Sequence, residues 1–579
     1  MSEFFLELFS EEIPAGLQRN SRNVLLENFQ NLFEEKKILF KKSSSFSTPN
    51  RLIILFEGLS KEIKQKAEEI KGPNVNAPEK AVEGFLRSNL IDKKDLFIKK
   101  IEKGEFYFFK KPSNKTNTID LLQEYTPLIL DKLQWKKSMI WGNYNLSWAR
   151  PLKSILAVFG NKSLDFKFHH LISSNTTFTD KEFEDKKKIF KTFKSYKDFF
   201  NQSGVIIDHV LRKDFIVKKI EKISSKNNFI VEPNNKLLDE VTDIVEQPNI
   251  IVCKFDQKFL NIPKEILIIT MQYHQKYFPT FDKKGKITNE FLVVANNHDE
   301  KGYIKLGNER VVEARLSDAQ FFWEKNKSQN LVKQVSKLKS MNYFKGLGSY
   351  FDKIQRMRKL GGMISDELLI SKDQVELSAS ICKVDLISDI VGEFPELQGI
   401  MGGHFAGVQG FDKEIALAIS EHYQPTGLDS KTPKKPFSIA LALTDKIDTL
   451  VGFFGINQKP TSSKDPYALR RSALIPQRHV DRGDRAIGRA GVAALEHMRQ
   501  HRIVKRGHGA RVLPFHCGKD AGDIDMLAEP DAGQSAISLQ HQDRHFGDAA
   551  LDHPVHVAHR PTPVVGRSQA AISGDLHAW

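Results

Sequence analysis

Residues 443–476 read LTDKIDTLVGFFGINQKPTSSKDPYALRRSALIP and predict one apolar helix, a loop and the start of a second helix. In the first helix, apolar residues recur at helical spacing and charged residues take the opposite face. The apolar positions are Ile447, Leu450, Val451 and Phe454, and the charged positions are Asp445, Lys446 and Asp448. Gly455 is placed to end this helix.

The second helix of this stretch has a start signal of its own. Pro460 prevents an easy restart of the first helix, and Asp465 then precedes Pro466. A carboxylate at the N-cap followed by proline at the first helical position is a strong helix start. We therefore expect a helix that opens with Tyr467 and Leu469.

Two blocks of this stretch carry a resemblance to a known family. DKIDTLVGFFGI (445–456) followed by PTSSKDPYALRR (460–471) resembles the signature of the beta subunit of bacterial heterotetrameric glycyl-tRNA synthetase. Three further blocks resemble the same family, and they are FFLELFSEEIPAG (4–16), STPNRLIILFEGL (47–59) and GNERVVEARLSDAQFFWEKN (307–326). The resemblance covers about residues 1–476.

Net charge and cysteine content narrow the class of protein. The chain has 579 residues, a net charge of +15 and a pI near 9.3, which suits a polyanionic partner such as RNA. The alternative is that the net charge comes from a lysine-rich proteome encoded by AT-rich codons. Three widely spaced cysteines make neither a disulfide framework nor a metal-ligand spacing, as expected in a reducing cytosol. No apolar run is long enough to span a bilayer, so we expect no membrane partner and a cytoplasmic location.

The N-terminal region alternates strand and helix patterns. Phe4, Leu6 and Leu8 alternate along a predicted strand, and an apolar helical face follows Pro14. Arg51 to Gly58 predicts a second strand. We interpret the acids of SEEIP as favourable charges at the start of the helix and not as a catalytic pair.

The block KSMIWGNYNLSWARPLKSILAVFG (137–160) also resembles the family and offers candidate RNA contacts. Trp141 and Trp148 are candidates for stacking on bases, and Arg150 for binding a phosphate. Packing in the core or at its rim is the more frequent use of such tryptophans. Further along, Lys464, Arg470 and Arg471 are candidate phosphate contacts, and the alternative is that they are solvated residues at helix ends.

From Leu331 onward the periodicity is helical, and the resemblance implies an all-helical module related to the HD metal phosphohydrolases. An HD site needs a His, a His-Asp dyad and a further Asp to hold two metals. Asp385, His404, His422 and Asp445 are candidates, but no His-Asp dyad occurs between Ser371 and Pro476. We interpret the module as a scaffold without metal, with a phosphohydrolase whose site has been rebuilt as the alternative.

The chain lacks the motifs of a self-sufficient synthetase. It contains no GxxxxGK[ST] phosphate loop and no Rossmann fingerprint after a predicted strand. The resemblance implies that an alpha subunit binds ATP with magnesium and forms the adenylate, whereas this chain binds glycine tRNA and no cofactor. It also implies a heterotetramer of two alpha and two beta subunits. We predict no catalytic residue and no metal ligand in this chain.

Residue usage changes abruptly at Pro476. Lysine, asparagine and phenylalanine give way to arginine, alanine, glycine and histidine, and eleven of the 18 histidines follow this point. His553, His556 and His559 suggest a metal site, but translation of GC-rich DNA in another frame, or a chimeric join, is our preferred interpretation. We expect a truncated family chain with a foreign, irregular or disordered segment.

The sequence thus predicts an α+β multidomain chain. A mixed α/β region spans residues 1–330, an all-helical HD-like module spans 331–476, and a non-family segment spans 477–579. The predicted function is that of a tRNA-binding beta subunit of glycine–tRNA ligase, an enzyme only together with its alpha subunit. The alternatives are an HD-type metal phosphohydrolase and a non-catalytic RNA-binding scaffold.

Overall fold

The structure is a computed structural model that describes most of the chain up to Ala473. The described residues are 2–64, 68–89, 91–101, 104–111, 115–179, 186–427, 430–458, 460–461, 465, 467–470 and 472–473. The predicted segment 477–579 lies outside them. The chain divides into two compact units: unit 1 is Met1–Asn326 with Glu393–Leu397, and unit 2 is Lys327–Gly392 with the residues from Gln398 onward.

Unit 1 mixes strands and helices. Its strands are β1 (Ser2–Ser10), β2 (Lys42–Thr48), β3 (Arg51–Leu59), β4 (Glu62–Lys64), β5 (Glu68–Asn74), β6 (Leu96–Ile101), β7 (Gly104–Lys111), β8 (Lys115–Asn117), β9 (Leu152–Phe159), β10 (Lys162–Ser163), β11 (Lys167–Phe168), β12 (Leu171–Ile172), β13 (Thr176–Phe178), β14 (Lys187–Ile189), β15 (Asn249–Lys254), β16 (Phe278–Phe281) and β17 (Ile287–Ala295). Its helices are α1 (Ala15–Glu35), α2 (Glu79–Asn89), α3 (Thr118–Asp131), α4 (Phe193–Gln202), α5 (His209–Asn227), α6 (Asn235–Ile244), α7 (Lys264–Ile269) and α8 (Tyr303–Lys327).

A five-stranded antiparallel sheet forms the centre of unit 1, with the order β10-β9-β1-β3-β2. Successive side chains of β1 point to opposite faces of this sheet. Phe4, Leu6 and Leu8 pack against Phe29 and other buried residues of α1 and α3 on one face. The predicted first strand and first helix are therefore confirmed.

The second face of the sheet is covered as well, so that the sheet is a buried layer. Phe5 of β1 packs with Phe193, Tyr196 and Phe200 of α4. The two apolar layers explain why β1 carries apolar side chains on both of its faces.

Glu7 is a charged residue on this second face, and it is fully buried. Arg51 on the neighbouring strand donates to it over 3.0 Å, and the hydroxyls of Thr177 and Tyr196 also donate to its carboxylate. The Arg51 guanidinium lies 4.5 Å from the ring centroid of Phe9. A buried carboxylate with three donors fixes the position of the strand β13 relative to the sheet.

Unit 1 also contains three two-stranded sheets, β4-β8, β11-β12 and β13-β14, and two three-stranded sheets. The first three-stranded sheet has the strand order β5-β7-β6, and the second has the order β15-β17-β16. The second sheet contributes Phe278, Leu292 and Val294 to a core shared with α5 and α6. Residues 291–294 of β17 are all buried.

Helix α8 buries one apolar stripe. Val312, Leu316, Ala319 and Trp323 recur at helical spacing, and all four are buried. Of the described helices, none is long and apolar enough to cross a membrane.

Unit 2 is mainly helical. Its helices are α9 (Leu331–Gln334), α10 (Tyr350–Leu368), α11 (Lys372–Ile381), α12 (Asp389–Glu393, whose last residue is in unit 1), α13 (Ile400–Val408), α14 (Lys413–Glu421) and α15 (Pro436–Gly455). A short antiparallel pair, β18 (Asn342–Phe344) with β19 (Gly348–Ser349), precedes α10, so the module is not helical throughout. Gly346 and Gly348 have φ of +90° and +82°, which glycine adopts readily and which closes this turn.

Helix α15 lies at the centre of unit 2 and corrects the predicted amphipathic pattern. It ends at Gly455, as predicted. Its charged face, however, is buried: Asp445, Lys446 and Asp448 are 4%, 9% and 0% exposed. Phe454, predicted to face the core, is 39% exposed. The reason is that Lys353, Arg356 and Lys383, from other segments of unit 2, form ion pairs with Asp445 and Asp448.

Candidate functional site

The largest group of buried charges in the described residues surrounds the middle of α15. Nζ of Lys383 lies 2.9 Å from Oδ1 of Asp445 and 2.9 Å from Nε2 of His422. Nδ1 of His422 lies 2.6 Å from the carbonyl oxygen of Ile419. The imidazole therefore donates a hydrogen bond through Nδ1 and accepts one from the Lys383 ammonium through Nε2. This arrangement requires a neutral ring.

A second buried lysine lies on the other side of the same carboxylate. Nζ of Lys353 lies 3.2 Å from Oδ1 of Asp445 and 3.0 Å from Oδ2 of Asp448. Arg356 on the next turn of α10 donates through Nε to Oδ1 of Asp448 over 2.6 Å. We call Lys353, Arg356, Lys383, His422, Asp445 and Asp448 the ionic cluster.

The pKa values of the cluster agree with this pairing. Burial alone would raise the pKa of Asp445, but the ammonium groups of Lys353 and Lys383 hold it well below its usual range. Burial would lower the pKa of Lys353, but Asp445 and Asp448 hold it well above its usual range. For His422, burial and the charge of Lys383 both lower the pKa well below its ordinary value. The imidazole is thus the neutral member of a cluster whose other members are charged.

The ionic cluster occupies the place where the alternative, a phosphohydrolase, would need its metal site. The structure brings His422 and Asp445 together, but the ammonium of Lys383 lies between them, where a metal ion would have to bind. His404 on α13 is not among the described contacts of Lys383. In the part of the chain that the structure describes, no three His, Cys, Asp or Glu side chains are arranged to hold a metal ion. The imidazole of His422 and the carboxylate of Asp445 thus form a site for the Lys383 ammonium and not for a two-metal centre.

Asp385, the fourth candidate, has a different role. Its Oδ2 accepts the backbone N–H of Gly402 over 3.1 Å and that of Gly399, at the N-terminal end of α13. Its Oδ1 is buried without a hydrogen-bond partner among the described residues. Burial raises the pKa of Asp385 to about 6, although these N–H groups and Lys383 oppose the change. The carboxylate thus serves to hold the start of α13.

The cations of the cluster are not among the site residues predicted from the sequence. Lys353 and Arg356 stand at i and i+3 on α10, and Asp445 and Asp448 stand at i and i+3 on α15. Residues at i and i+3 lie on the same face of a helix, so the two cations of α10 can face the two carboxylates of α15. Lys383 has no comparable signal, because it lies between two helical segments.

The candidate RNA contacts of unit 1 lie in and beside one turn. Met139 and Trp148 exchange backbone hydrogen bonds of 2.8 and 3.1 Å and close a hairpin. Trp148 is 1% exposed and packs edge-on against Trp135, so it belongs to the core and does not stack on bases. Trp141 is half-buried. Arg150 is exposed, and its Nη1 donates over 3.3 Å to the carbonyl oxygen of Ala149.

The candidates after α15 are described in part, because Lys464 and Arg471 lie outside the described residues. Asp465 accepts the N–H groups of Leu469 and Arg470 over 2.8 and 3.0 Å, so it satisfies the first turn of the helix that begins at Leu469 but is not its N-cap residue. The helix does not open at Tyr467 as predicted. Tyr467 instead stacks on Phe453 with ring centroids 4.5 Å apart, and Ala468 adopts φ of +52°. Arg470 is exposed, and its guanidinium donates to the carbonyl of Thr461.

Comparison with known proteins identifies the family. A family model described as glycyl-tRNA synthetase beta subunit matches residues 4–484. The glycine–tRNA ligase beta subunit of Rickettsia felis is 38% identical over 477 residues, which are 82% of this chain and 71% of the relative. The beta subunits of Rickettsia canadensis and Rickettsia conorii are 38% and 39% identical over 475 residues, with 82% of this chain covered and 70% and 71% of theirs.

The matched range includes the buried strand pair near the start of unit 1 and the centre of α15 in unit 2, in that order. The chain therefore belongs to the glycyl-tRNA synthetase beta-subunit family. This membership does not favour either alternative, the metal phosphohydrolase or the RNA scaffold without a synthetase partner.

Proposed function

We propose that this chain binds glycine tRNA and assembles with an alpha subunit that forms the glycyl adenylate, so that the two attach glycine to the tRNA together. The observation that carries this proposal is family membership over residues 4–484. The relatives are beta subunits of glycine–tRNA ligase by name, and a beta subunit implies an alpha partner and the tRNA.

The finer features of this assembly are part of the same proposal. Two alpha and two beta subunits form the complex in the cytoplasm, and the alpha subunit binds ATP with magnesium while this chain binds neither. The ionic cluster supports a scaffold role for unit 2, because its lysines already neutralise the carboxylates that a cation would need. Light scattering of the purified complex tests the stoichiometry.

Contacts with tRNA are proposed at exposed cations. Arg150 is exposed, and no carboxylate among the described residues pairs with it, so its guanidinium is free to bind a phosphate. Arg470 is exposed beside the capped turn at Asp465. We add Lys464 and Arg471 from the sequence alone. Phosphate contacts of this kind make affinity fall steeply with salt.

The organisation of the chain is proposed as an α/β region at 1–330, a helical module at 331–476 and a segment at 477–579 that is foreign to the family. The change in composition at Pro476 supports the last boundary, and the family match ends a few residues later at 484. Sequencing of an independent transcript tests it: uniform codon usage across codon 476 would contradict a foreign segment.

Glycine-dependent ATP–pyrophosphate exchange separates the roles of the two subunits. We expect no exchange by this chain alone, exchange by preparations that contain the alpha subunit, and charging of tRNA when both subunits are present. Exchange by this chain alone would overturn the division of labour. Failure of this chain to bind tRNA or to copurify with the alpha subunit would overturn the proposed function itself.

A further inference from the structure

One exposed aromatic surface of unit 1 is not explained by packing. It belongs to the hairpin of residues 139–148, which we call the aromatic hairpin. Trp148 anchors the base of the hairpin in the core, where it packs against Trp135 and Phe168 with ring centroids 5.0 and 6.0 Å away. The exposed end of the hairpin is thus carried on a rigid support, which is a requirement for a precise binding site.

The exposed end of the aromatic hairpin presents a preformed ring stack. The ring of Tyr144 lies parallel to that of His170, with centroids 3.7 Å apart and an angle of 10° between the planes. Trp141 meets both rings edge-on, with centroids 6.4 and 5.8 Å away. Tyr144 nevertheless remains 44% exposed. Since His170 covers one face of its ring, another ring can stack only on the opposite face.

Gly142 keeps part of this ring accessible. A Cβ atom at position 142 would lie 3.6 Å from Cδ2 and Cε2 of Tyr144, so a side chain there would cover the ring. The backbone of Gly142 has φ of +55°, a conformation that favours glycine. The hairpin therefore combines a turn that needs glycine with an aromatic ring left open to solvent.

The charged residues of the hairpin and of the segments next to it in the chain are all positive. Residues 135–150 read WKKSMIWGNYNLSWAR and contain three cations and no carboxylate. Lys136 and Lys137 are exposed, and neither forms an ion pair with a described residue. Exposed rings beside unpaired cations are the combination that binds single-stranded nucleic acid, because bases stack and phosphates need neutralising charge.

A protein partner fits these residues less well. Met139 and Ile140 beside the stack are 39% and 63% exposed, which would suit a protein interface. Lysine, however, is depleted at such interfaces, and no acid of the hairpin is available to pair with a partner's cation. The cations thus favour a polyanion over a protein as the occupant.

We propose that the aromatic hairpin binds an unpaired nucleotide of the tRNA, whose base stacks on the open face of Tyr144 and extends the Tyr144–His170 stack. Lys136 and Lys137 neutralise the neighbouring phosphates. This inference rests on the proposed tRNA-binding function and assigns it a surface. The hydroxyl of Tyr144 is not needed for stacking, so the ring alone carries the interaction.

The first test compares Tyr144→Ala, Tyr144→Phe and Tyr303→Ala in the full chain with its alpha subunit, using transcribed glycine tRNA as the ligand. Tyr303 is a matched control, because it is 71% exposed in the same unit but on α8. We expect Tyr144→Ala to weaken binding by about 5- to 100-fold, the range for loss of one base–aromatic stack. Tyr144→Phe and Tyr303→Ala are expected to stay within about twofold of the parent.

Salt dependence separates stacking from charge. Tyr144→Ala removes no cation and leaves the slope of log affinity against log salt unchanged. Lys136→Ala combined with Lys137→Ala lowers the magnitude of that slope by about 1 to 2. Circular dichroism confirms that each variant is folded, and tRNA carrying photoreactive uridines provides a readout in the unmutated protein. Cross-links at residues 141–144 are expected.

Four outcomes contradict the inference. Equal tRNA affinity of Tyr144→Ala and the parent, or cross-links confined to other segments, would overturn it while leaving the proposed function intact. Loss of the alpha subunit on Tyr144→Ala with unchanged tRNA affinity would identify a protein interface instead. Absence of tRNA binding by the parent complex would overturn the proposed function and this inference together.

Discussion

Nζ of Lys383 lies 2.9 Å from Oδ1 of Asp445, and the two side chains are 1% and 5% exposed. The same ammonium donates to the neutral imidazole of His422. The Lys383 ammonium thus lies at the centre of a buried pocket, where an imidazole and a carboxylate contact it. This arrangement makes the middle of unit 2 an element of stability and accounts for the burial of a charged helix face.

Removal of the Lys383 ammonium should destabilise unit 2. Lys383→Met leaves Asp445 with Lys353 alone and deprives Nε2 of His422 of its donor, so we expect a loss of about 3 kcal/mol in the free energy of unfolding. Urea unfolding followed by circular dichroism measures it. The matched control is Lys213→Met, whose exposed ion pair with Asp239 should contribute less than about 1 kcal/mol. Equal effects of the two changes would contradict the importance of the cluster.

Divalent metal should not contribute to the stability of this chain or give it phosphatase activity. The carboxylates of Asp445 and Asp448 are already neutralised by Lys353, Arg356 and Lys383. We expect the melting temperature to be the same with EDTA and with added manganese, and no hydrolysis of nitrophenyl phosphate. A metal-dependent rise in melting temperature that Lys383→Met alters would revive the phosphohydrolase alternative.

Two glycines of α13 should respond in opposite ways to alanine. A Cβ atom at Gly403 would lie 2.6 Å from the backbone carbonyl oxygen of Ala416 on α14, a contact that only a shift of the helices relieves. We expect Gly403→Ala to cost about 2 kcal/mol or more in the free energy of unfolding.

Gly407 is the matched control on the same helix, because a Cβ there meets nothing within 4 Å. Gly407→Ala should be neutral or stabilising by up to about 1 kcal/mol, since alanine favours the helix. Thermal melts of the two variants measure the difference. A Gly403→Ala variant as stable as the parent would show that α13 and α14 are not closely packed.

Asp385 should make unit 2 less stable as the pH rises from 4 to 7. Burial raises the pKa of this carboxyl in the folded chain from 3.8 to about 6, so the folded state holds the proton more tightly than the unfolded chain. Its stabilising contribution is complete below pH 3.8 and is lost as the pH rises through 6. The pKa change corresponds to roughly 3 kcal/mol.

Asp385→Asn keeps an oxygen for the N–H groups of Gly399 and Gly402 but does not titrate. The free energy of unfolding of this variant relative to the parent should therefore increase between pH 4 and pH 7. Urea midpoints across that range measure the trend. A difference that is independent of pH would show that Asp385 does not titrate in this interval.

Arg150 and Arg470 should contribute to tRNA affinity through charge. Arg150→Ala is expected to reduce the magnitude of the salt slope by about 0.7 to 0.9, the value for one phosphate contact. Arg470→Glu combined with Arg471→Glu should weaken binding further, because each change also introduces repulsion. Filter binding at several salt concentrations measures both. Unchanged affinity and slope in folded variants would exclude these contacts.

Much of the architecture follows from the sequence alone. The alternation of Phe4, Leu6 and Leu8 predicts β1, and the stripe from Val312 to Trp323 predicts the buried face of α8, because period alone distinguishes these elements. Long blocks of residues, such as 445–456, point to the family before any contact is known.

The tertiary structure decided what these elements face. The charges of α15 look like a solvated face in sequence, yet Lys353 and Lys383, 92 and 62 positions away from Asp445, make that face the inside of a pocket. Likewise Tyr144 and His170 are stacked only because the hairpin and the turn between β11 and β12 meet in space. The spacing of polar residues shows which of them share a face of a helix. Whether a charge on that face can be buried depends on partners that the fold brings from elsewhere in the chain.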